Sequence, residues 1–483
     1  MFNKTYILAA VAIVILATSS SQAQKPLAFK GAKIITMAGE PIENGTIVFR
    51  DGKIASLGAD VKVPVEARVI DASDKVIMPG FVEAHTSSGM SQANETNPIV
   101  PYVSVIDSID PMSAYFRSAR RNGVTTVRVV PGNSTLIGGQ AAVIKTGGEF
   151  IDDMVIKSDA GVKISLRPVS GSRMGHMAKL RKALDEAKRK LDEKNKDKEE
   201  EGDEKDDKKK EGDKDKDAKK KETDKKEGKD GDKKDKDKKE DKDGDKDEDE
   251  EKDKDKDKDG KKSDKKDGDK KSDDKKSEKV ESELDKAMFA MLSGDLPVMI
   301  YCDKAMDVGQ AMRLIEQYNL NASLVLGREC YKAAQQVADA ELPVMLAPQL
   351  VFFEEDPRTK EEKKVVLPQV FRDHGVKFAF QVGRGGGTTL GSTYFWYQAA
   401  TAVKYGMPVE EALESLTMLP AKFLGVDEYV GSIEEGKDAD IIVLSGEPLS
   451  VDTWVDMTVV NGEIVYEKEK DEQLKLLLKG ETE

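Results

Sequence analysis

Hydrophobic and polar positions follow two grammars along this 483-residue chain, and the change-over falls at Val76–Gly89, VIMPGFVEAHTSSG. Before it, from Ala28 to Met78, short β-type runs (AKIITM, TIVFR, KIASLG, ARVID) alternate with turn-forming stretches, and Asp51-Gly52 marks a hairpin. After it, mostly unalternating runs rich in Val, Ile and Leu recur: GFVEAH, VTTVRVV, AAVIK, VKISLRP, LPVMIYC, ASLVLG, LPVMLAP and VKFAFQV. Strands covered on both faces read this way, because neither side-chain row meets water. Helical periodicity fills the gaps. Asp110 is placed to cap a helix with Pro111 at its first position, Met112, Tyr115, Phe116 and Ala119 share a face, and Asn122-Gly123 ends it. Later helical segments are AMRLIEQYN, YKAAQQVADAE, TYFWYQAATAVKYG and PVEEALESLTMLPAKFLG. About eight strand–helix units predict an α/β fold, a (β/α)8 TIM barrel. An open doubly wound sheet is the alternative, but the Gly-rich fingerprint expected after its first strand is missing.

The first grammar returns at the end of the chain. ADIIVLSG, DMTVVNG and EIVYEKE are short β-type runs, with Asn461-Gly462 as a second hairpin turn. The N-terminal β segment is too short to bury much core alone, so the two terminal segments are expected to complete one small β-sandwich. One stretch interrupts the barrel pattern. From 193 to 280 the chain is nearly all Lys, Asp and Glu with a few Gly and Ser. It has too little apolar surface to offset the entropy of ordering. Glu–Lys pairs at i, i+4 would suit a long helix, whereas abundant Asp and recurrent Gly oppose one. The expectation is a disordered, charge-balanced insertion, with weak divalent-cation binding by its Asp residues as the functional alternative. The predicted organisation is a signal peptide at 1–23, sandwich at 24–79, barrel at 80–192, insertion at 193–280, barrel at 281–426, sandwich at 427–470 and a charged tail at 471–483.

Composition narrows the classes. A formal net charge of −14 and a pI near 5.1 argue against a nucleic-acid-binding protein. Lys4, the apolar run Tyr6–Ala17 and the small-residue pattern Ser21-Gln22-Ala23 predict a cleaved secretory signal with Gln24 first in the mature chain. An uncleaved anchor is the alternative. No second apolar run approaches about 20 residues, so no stable membrane anchor is expected beyond it, and the protein is expected to be exported, periplasmic or secreted. That compartment permits a disulfide between Cys302 and Cys330, while two buried free thiols are the plainer expectation.

PGFVEAH, the bracketing β segments and the closing VGSIEEGKDADIIVL together resemble the amidohydrolase superfamily, nearest its imidazolonepropionase-like branch. The resemblance runs from about Ala28 to Glu467 outside the charged insertion, with GKDAD (Gly436–Asp440) and LTMLPAKFLG as fold-specific elements. GGQAAVIKTGG and SRMGHMAKLR resemble stretches of an exported sub-branch. The resemblance implies a metal-dependent hydrolase of non-peptide C–N bonds. In such proteins a His-x-His at the end of the first strand holds a divalent metal such as Zn. Side chains at i and i+2 share a face of a strand, so both imidazoles reach the barrel mouth. The metal acidifies a bound water that attacks the substrate.

This chain departs from that pattern at most positions. His85 is kept, but Ser87 stands in place of the second His. Tyr301 and Leu326 replace the histidines ending the fifth and sixth strands, and Gly383 the Asp ending the eighth. Lys145 and Lys163 are candidates for the modified bridging lysine that the branch uses. The chain has three His in all, and His374, in DHGVKF, falls before a strand at the wrong end of the barrel. The remaining candidates for chemistry are His85, His176, Tyr301, Asp303 and Arg384. Arg173, Arg328, Arg384 and the backbone of Gly385 and Gly386 are candidates for binding an anionic ligand. The leading expectation is a barrel with its metal site depleted and no resident cofactor. Such a protein would bind a small molecule or partner an active paralogue in a homo- or hetero-oligomer. The alternative is an active hydrolase using an unconventional site around His85 and His176.

Overall fold

The computed structural model describes residues 25–169, 171–217, 281–382 and 394–479. Within the main unit, strands from both ends of the chain join one mixed sheet of eight strands. Its path is β19 (Glu463–Glu467), β18 (Val455–Val460), β17 (Ile441–Leu444), β5 (Val76–Pro79), β1 (Leu27–Ile34), β2 (Ile42–Arg50) and β3 (Lys53–Gly58), and β4 (Arg68–Asp71) adds to β1. The join is the antiparallel pair β5–β17, in register from Val76↔Leu444 to Pro79↔Ile441. Both hairpin signals form two-residue turns. Asp51 and Gly52 lie at φ 51° and 76°, and Asn461 and Gly462 at φ 50° and 75°, which is the left-handed pairing of a type I′ turn. Phe29, Ile34, Ile47, Phe49, Ile441 and Val459 pack beneath this sheet as a core of their own.

After Pro79 the chain enters a TIM-barrel-like α/β array. β6 (Phe81–Thr86) pairs in parallel with β7 (Val124–Val129), and both are buried along their whole length. A second parallel run is β11 (Val162–Ser165), β12 (Val298–Cys302), β13 (Ala322–Leu326) and β14 (Val344–Met345), which a bridge from Met345 to Ala379 extends. Val82, Ala84, Met299, Val325, Met345 and Ala379 form the inner core, while alternate residues such as Val127, Ile164 and Ile300 pack outward on the helices.

The third apolar run departs from the parallel expectation. β8 (Ile137–Gln140) and β9 (Ala142–Lys145) lie antiparallel to β11 and β7 respectively, and β10 (Val155–Lys157) is antiparallel to β9. Between β7 and β9 the chain carries only β8 and no helix, whereas a parallel return within one sheet usually runs through a crossover helix.

The first helix is shorter than its cap signal predicts. Asp110 Oδ1 accepts from Met112 N (2.9 Å) in a local turn, α1 spans Ala114–Arg121, and Met112 is exposed. An Asx turn competes here with helix initiation. Phe116 and Ala119 face the core as expected, and Gly123, at φ 78°, follows the helix end. α2 (Arg173–Asp217) packs Met177, Leu180, Leu184 and Ala187 into the core. α3 (Glu283–Ser293) starts on Ser282, whose Oγ accepts from Asp285 N (3.1 Å), and α4 (Ala305–Tyr318) links β12 to β13. Further on, a β-hairpin of β15 (Val351–Glu355) and β16 (Glu362–Val366) precedes α5 (Leu367–Asp373), and α6 (Phe395–Lys404) sets Phe395 edge-on to Phe81.

Residues Glu193–Val280 cluster as a second unit. Its first part, to Asp217, is helical. Extending an existing helix avoids the cost of a new nucleus, and Glu–Lys spacing supports it. The rest of the insertion lies outside the described residues, as do the predicted signal peptide and Gly383, Arg384, Gly385 and Gly386. Among the described residues no helix is long and apolar enough to cross a membrane.

Candidate functional site

β6 delivers His85 to the mouth through a local irregularity. Its register against β7 runs Glu83↔Val127 and then Thr86↔Val129, so β6 carries one extra residue between the two pairs. Such a bulge re-aims a side chain that strict alternation would send elsewhere. Phe81 and Glu83 face the helix layer, where Phe81 meets Phe395 and Glu83 accepts from Tyr115 Oη (2.7 Å), whereas His85 lines the mouth cavity.

That cavity has a volume of about 490 Å³. Its wall includes His85, Ser87, Asn133, Tyr301, Asp303, Leu326, Arg328 and Gln381. The structure therefore brings together five positions singled out in the sequence, from β6, β12 and β13, with Arg328 at the rim. Each is already engaged or chemically inert toward a cation. Ser87 Oγ donates to Pro131 O (3.2 Å). Tyr301 Oη donates to Asp303 Oδ1 (3.1 Å), and burial followed by the Asp303 charge pushes the phenol up from its ordinary range. Leu326 offers no donor atom. Arg328 Nη1 reaches Gln349 Oε1 (3.3 Å) and stacks over the Phe352 ring at 5.5 Å.

Beneath the cavity lies a buried basic cluster. On β11, Val162 and Ile164 pack outward, and Lys163 is fully buried with its Nζ 3.3 Å from His85 Nε2. On β7, Arg128 is 3% exposed, and its Nε donates to Ala84 O (2.8 Å). Arg128 Nη2 has no hydrogen-bond partner among the described residues. Burial lowers all three groups. His85 falls well below its usual range through desolvation and then the Lys163 and Arg128 charges. Lys163 falls well below its own through desolvation and then Arg128, and desolvation brings Arg128 to about 10. The low-dielectric floor thus holds His85 and Lys163 toward their neutral forms.

Other sequence candidates lie elsewhere. Lys145, the other lysine candidate, does not line the mouth cavity. It is buried in ion pairs with Asp438 (2.8 Å) and Asp440, joining β9 to the GKDAD element. His176 does not meet His85 at the cavity. It sits in the first turn of α2, and its Nε2 is 2.8 Å from Ser165 O, which makes Nε2 the protonated nitrogen. Arg173 does not line the mouth either, since it pairs with the buried Asp307 and donates to Leu166 O (3.1 Å). His374 ends α5, exposed, its Nδ1 2.8 Å from Val370 O. Cys302 and Cys330 are free and buried, and Cys330 Sγ donates to Cys302 O (3.1 Å).

Two site residues escaped the sequence reading. Arg128 sits inside VTTVRVV, where a charged residue in an otherwise apolar strand was the available signal. Glu83 lies two residues before His85. Its carboxyl is raised to about 7, mainly by burial, against hydrogen bonds from Tyr115 and from Val382 N (3.3 Å).

A divalent metal needs several lone-pair donors converging on one point. At the positions the sequence resemblance singles out, Ser87 and Tyr301 offer only neutral hydroxyls, which are weak metal ligands, Leu326 has no donor atom, and His85 Nε2 faces an amine. Among the described residues no group of three or more His, Cys, Asp or Glu is arranged to hold a metal ion. The donor set among the described residues does not fit the ion.

Comparison with known proteins agrees with the fold. The sequence model of the Amidohydrolase family matches residues 366–465. Among curated relatives, 5-methylthioadenosine/S-adenosylhomocysteine deaminase of Caldicellulosiruptor saccharolyticus is 29% identical over 146 residues, 29% of this chain and 32% of that protein. Imidazolonepropionase of Agrobacterium fabrum is 27% identical over 161 residues, 33% of this chain and 37% of that protein. The chain thus spans only about a third of the length of these relatives. A solved amidohydrolase from Thermotoga maritima shares the fold with TM-score 0.67 at 23% identity, over 92% of this chain and 100% of that one. Residues 366–465 thus resemble the Amidohydrolase family, and the chain shares the fold of the solved amidohydrolase.

Proposed function

We propose that this chain is an exported amidohydrolase-superfamily protein whose barrel mouth binds a small molecule without metal-dependent turnover. The reading takes the strand–helix array as a closed (β/α)8 barrel and the terminal strands as its small sandwich domain. It takes the N-terminal apolar run as a cleaved secretory signal. One observation carries it. The one imidazole on the cavity wall has Lys163 Nζ 3.3 Å from its Nε2, where a metal ligand would need a free lone pair. The cavity itself is large enough for a small organic ligand, with polar groups at its wall and rim. The test is a thermal-shift screen of the full chain after chelator treatment. Stabilisation by a small molecule without added metal supports the reading. Stabilisation or hydrolysis that appears only when zinc is restored contradicts it.

A second reading, as the non-catalytic partner of an active paralogue, is favoured by the β15–β16 hairpin. This hairpin exposes Phe353 at 63%, and large exposed apolar side chains are common at interaction surfaces. Co-purification with a relative bearing an intact His-x-His would support that reading, and a monomer throughout would oppose it.

A further inference from the structure

The last described helix carries more apolar side chains than the fold covers. This helix, α7 (Glu472–Lys479, EQLKLLLK), starts on Asp471, whose Oδ1 accepts from Leu474 N (3.0 Å) and whose Oδ2 accepts from Arg121 Nε (2.6 Å) at the end of α1. Successive residues turn by about 100° around a helix, so Leu476, Leu477 and Leu478 cannot all face inward. All three are exposed, Leu477 at 60% and Leu478 at 67%. Beside them runs a groove of about 440 Å³ whose wall includes Trp396, Leu449, Val451, Trp454, Leu477 and Leu478. Val451 and Trp454 are exposed as well, and Trp396 and Trp454 are the only two tryptophans in the sequence.

A second groove, of about 410 Å³, shares Arg121 and Tyr466 with the first. Arg117, Arg120, Arg121 and Lys470 line it beside Glu467 and Asp471, so four basic side chains stand against two acidic ones. Both carboxylates are already engaged, Glu467 by Lys470 and Asp471 by Arg121. Arg120 Nη1 donates to a main-chain carbonyl, Thr146 O (2.6 Å), and the exposed Arg117 has no counter-ion among the described residues. This positive surplus stands out in a chain whose formal net charge is −14. Asp452 and Glu469 are exposed outside that wall and temper the attraction.

We propose that α7 and the Val451–Trp454 loop form a docking face for a lipid surface bearing anionic headgroups. Leu477, Leu478, Val451 and Trp454 enter the boundary between headgroups and acyl chains, where Leu and Trp side chains are stabilised. Arg117 and Arg120 meet the lipid phosphates, their stems lying along the apolar surface. The contact is peripheral and reversible, and it is independent of what the barrel mouth binds. A second copy of this chain fits the face less well, since a two-fold contact centred here would set the same arginines facing one another.

The test is vesicle co-sedimentation of the full chain, with phosphatidylcholine vesicles beside an equal mixture of phosphatidylcholine and phosphatidylglycerol. Both tryptophans line the apolar groove, so their emission reads this face directly. The wild type should sediment with the mixed vesicles while its tryptophan emission moves to shorter wavelength. The doubly substituted Leu477→Asp/Leu478→Asp chain should bind at least about tenfold more weakly and lose the shift. Arg117→Gln should weaken binding to the mixed vesicles about fivefold at low salt, and this difference should vanish at high salt. All three proteins carry the same N-terminal apolar run, so its contribution cancels. Quenching of the wild-type tryptophans by brominated lipid makes the same test without a substitution. Absence of binding, equal binding of the double variant, equal binding of both vesicle types, or unquenched emission from bound protein would each overturn the inference. A dimer that the double variant abolishes, formed without vesicle binding, would overturn it by assigning the face to a second copy of the chain.

Discussion

His85 Nε2 and Lys163 Nζ lie 3.3 Å apart, both buried, beneath the end of β6 where the sequence resemblance implies a metal site. The pair couples two basic groups in a low-dielectric floor, so each opposes the other's charge. The imidazole of His85 is therefore neutral well into the acid range. Followed by NMR, its ring resonances stay flat as pH falls from about 8 to about 6, whereas an ordinary His titrates near 6.5. Lys163→Met removes the second cause of the depression and moves the titration upward toward that value. A wild-type His85 that titrates at its ordinary value would contradict the pairing.

Glu83 gives the fold a pH dependence of definite sign. Its folded pKa is about 7 against an ordinary 4.5, because burial outweighs the bonds from Tyr115 and Val382. The unfolded chain thus loses this proton first. The stabilisation it contributes is full below about 4.5 and declines as pH rises through about 7. The whole shift corresponds to roughly 3 kcal/mol. Glu83→Gln removes this term, so denaturant titrations should show the variant gaining on the wild type between about pH 5 and about pH 8. A constant difference across that range would refute the assignment.

Lys145 ties β9 to the GKDAD element. It is buried between Asp438 and Asp440, Asp440 is itself buried, and Asn461 N donates to Asp440 Oδ1 (2.8 Å). Lys145→Met leaves the buried Asp440 without its counter-ion in a dry site, while Asp438 keeps its pair with Lys53. It should destabilise the protein by about 3–5 kcal/mol, read as a lower urea midpoint. A change below about 1 kcal/mol would mean that water already screens the pair.

The thiols of Cys302 and Cys330 should be inert in the native state. Burial raises both, Cys330 to about 12 and Cys302 well above its ordinary range, and the thiolate is the reactive form. Iodoacetamide should modify neither until denaturant is added, and then both. Mass spectrometry of the non-reduced protein checks the same point, since a loss of two hydrogens would reveal a bridge.

Legibility in the sequence depended on how local each feature was. Asp51-Gly52 and Asn461-Gly462 fix their turns through their own backbone preferences, so both hairpins could be read directly. PGFVEAH carried the entry to the barrel and the placing of His85, because strand burial and turn chemistry are short-range. The antiparallel course of β9 was missed, although the sequence between VTTVRVV and AAVIK offers no helical segment to carry a parallel return. The ion pairs of Lys145 could not be read from the sequence because its acidic partners lie at Asp438 and Asp440, nearly three hundred positions away, and no spacing rule links them. His176 was joined to His85 by elimination among three histidines, whereas helix geometry commits it to Ser165 O. Arg128 and Glu83 were visible as charges within apolar strands, but their partners come from other strands and from α1. Such pairings become visible only once the chain has folded.

The central claim is that the barrel mouth is built around an internal amine instead of a metal ion. The direct measurement is the metal content of the full chain, purified without chelator and then equilibrated with zinc, alongside His85→Ala. The account predicts well under one ion retained per chain after dialysis, and no difference between wild type and His85→Ala. One tightly held ion per chain that is lost in His85→Ala would contradict it.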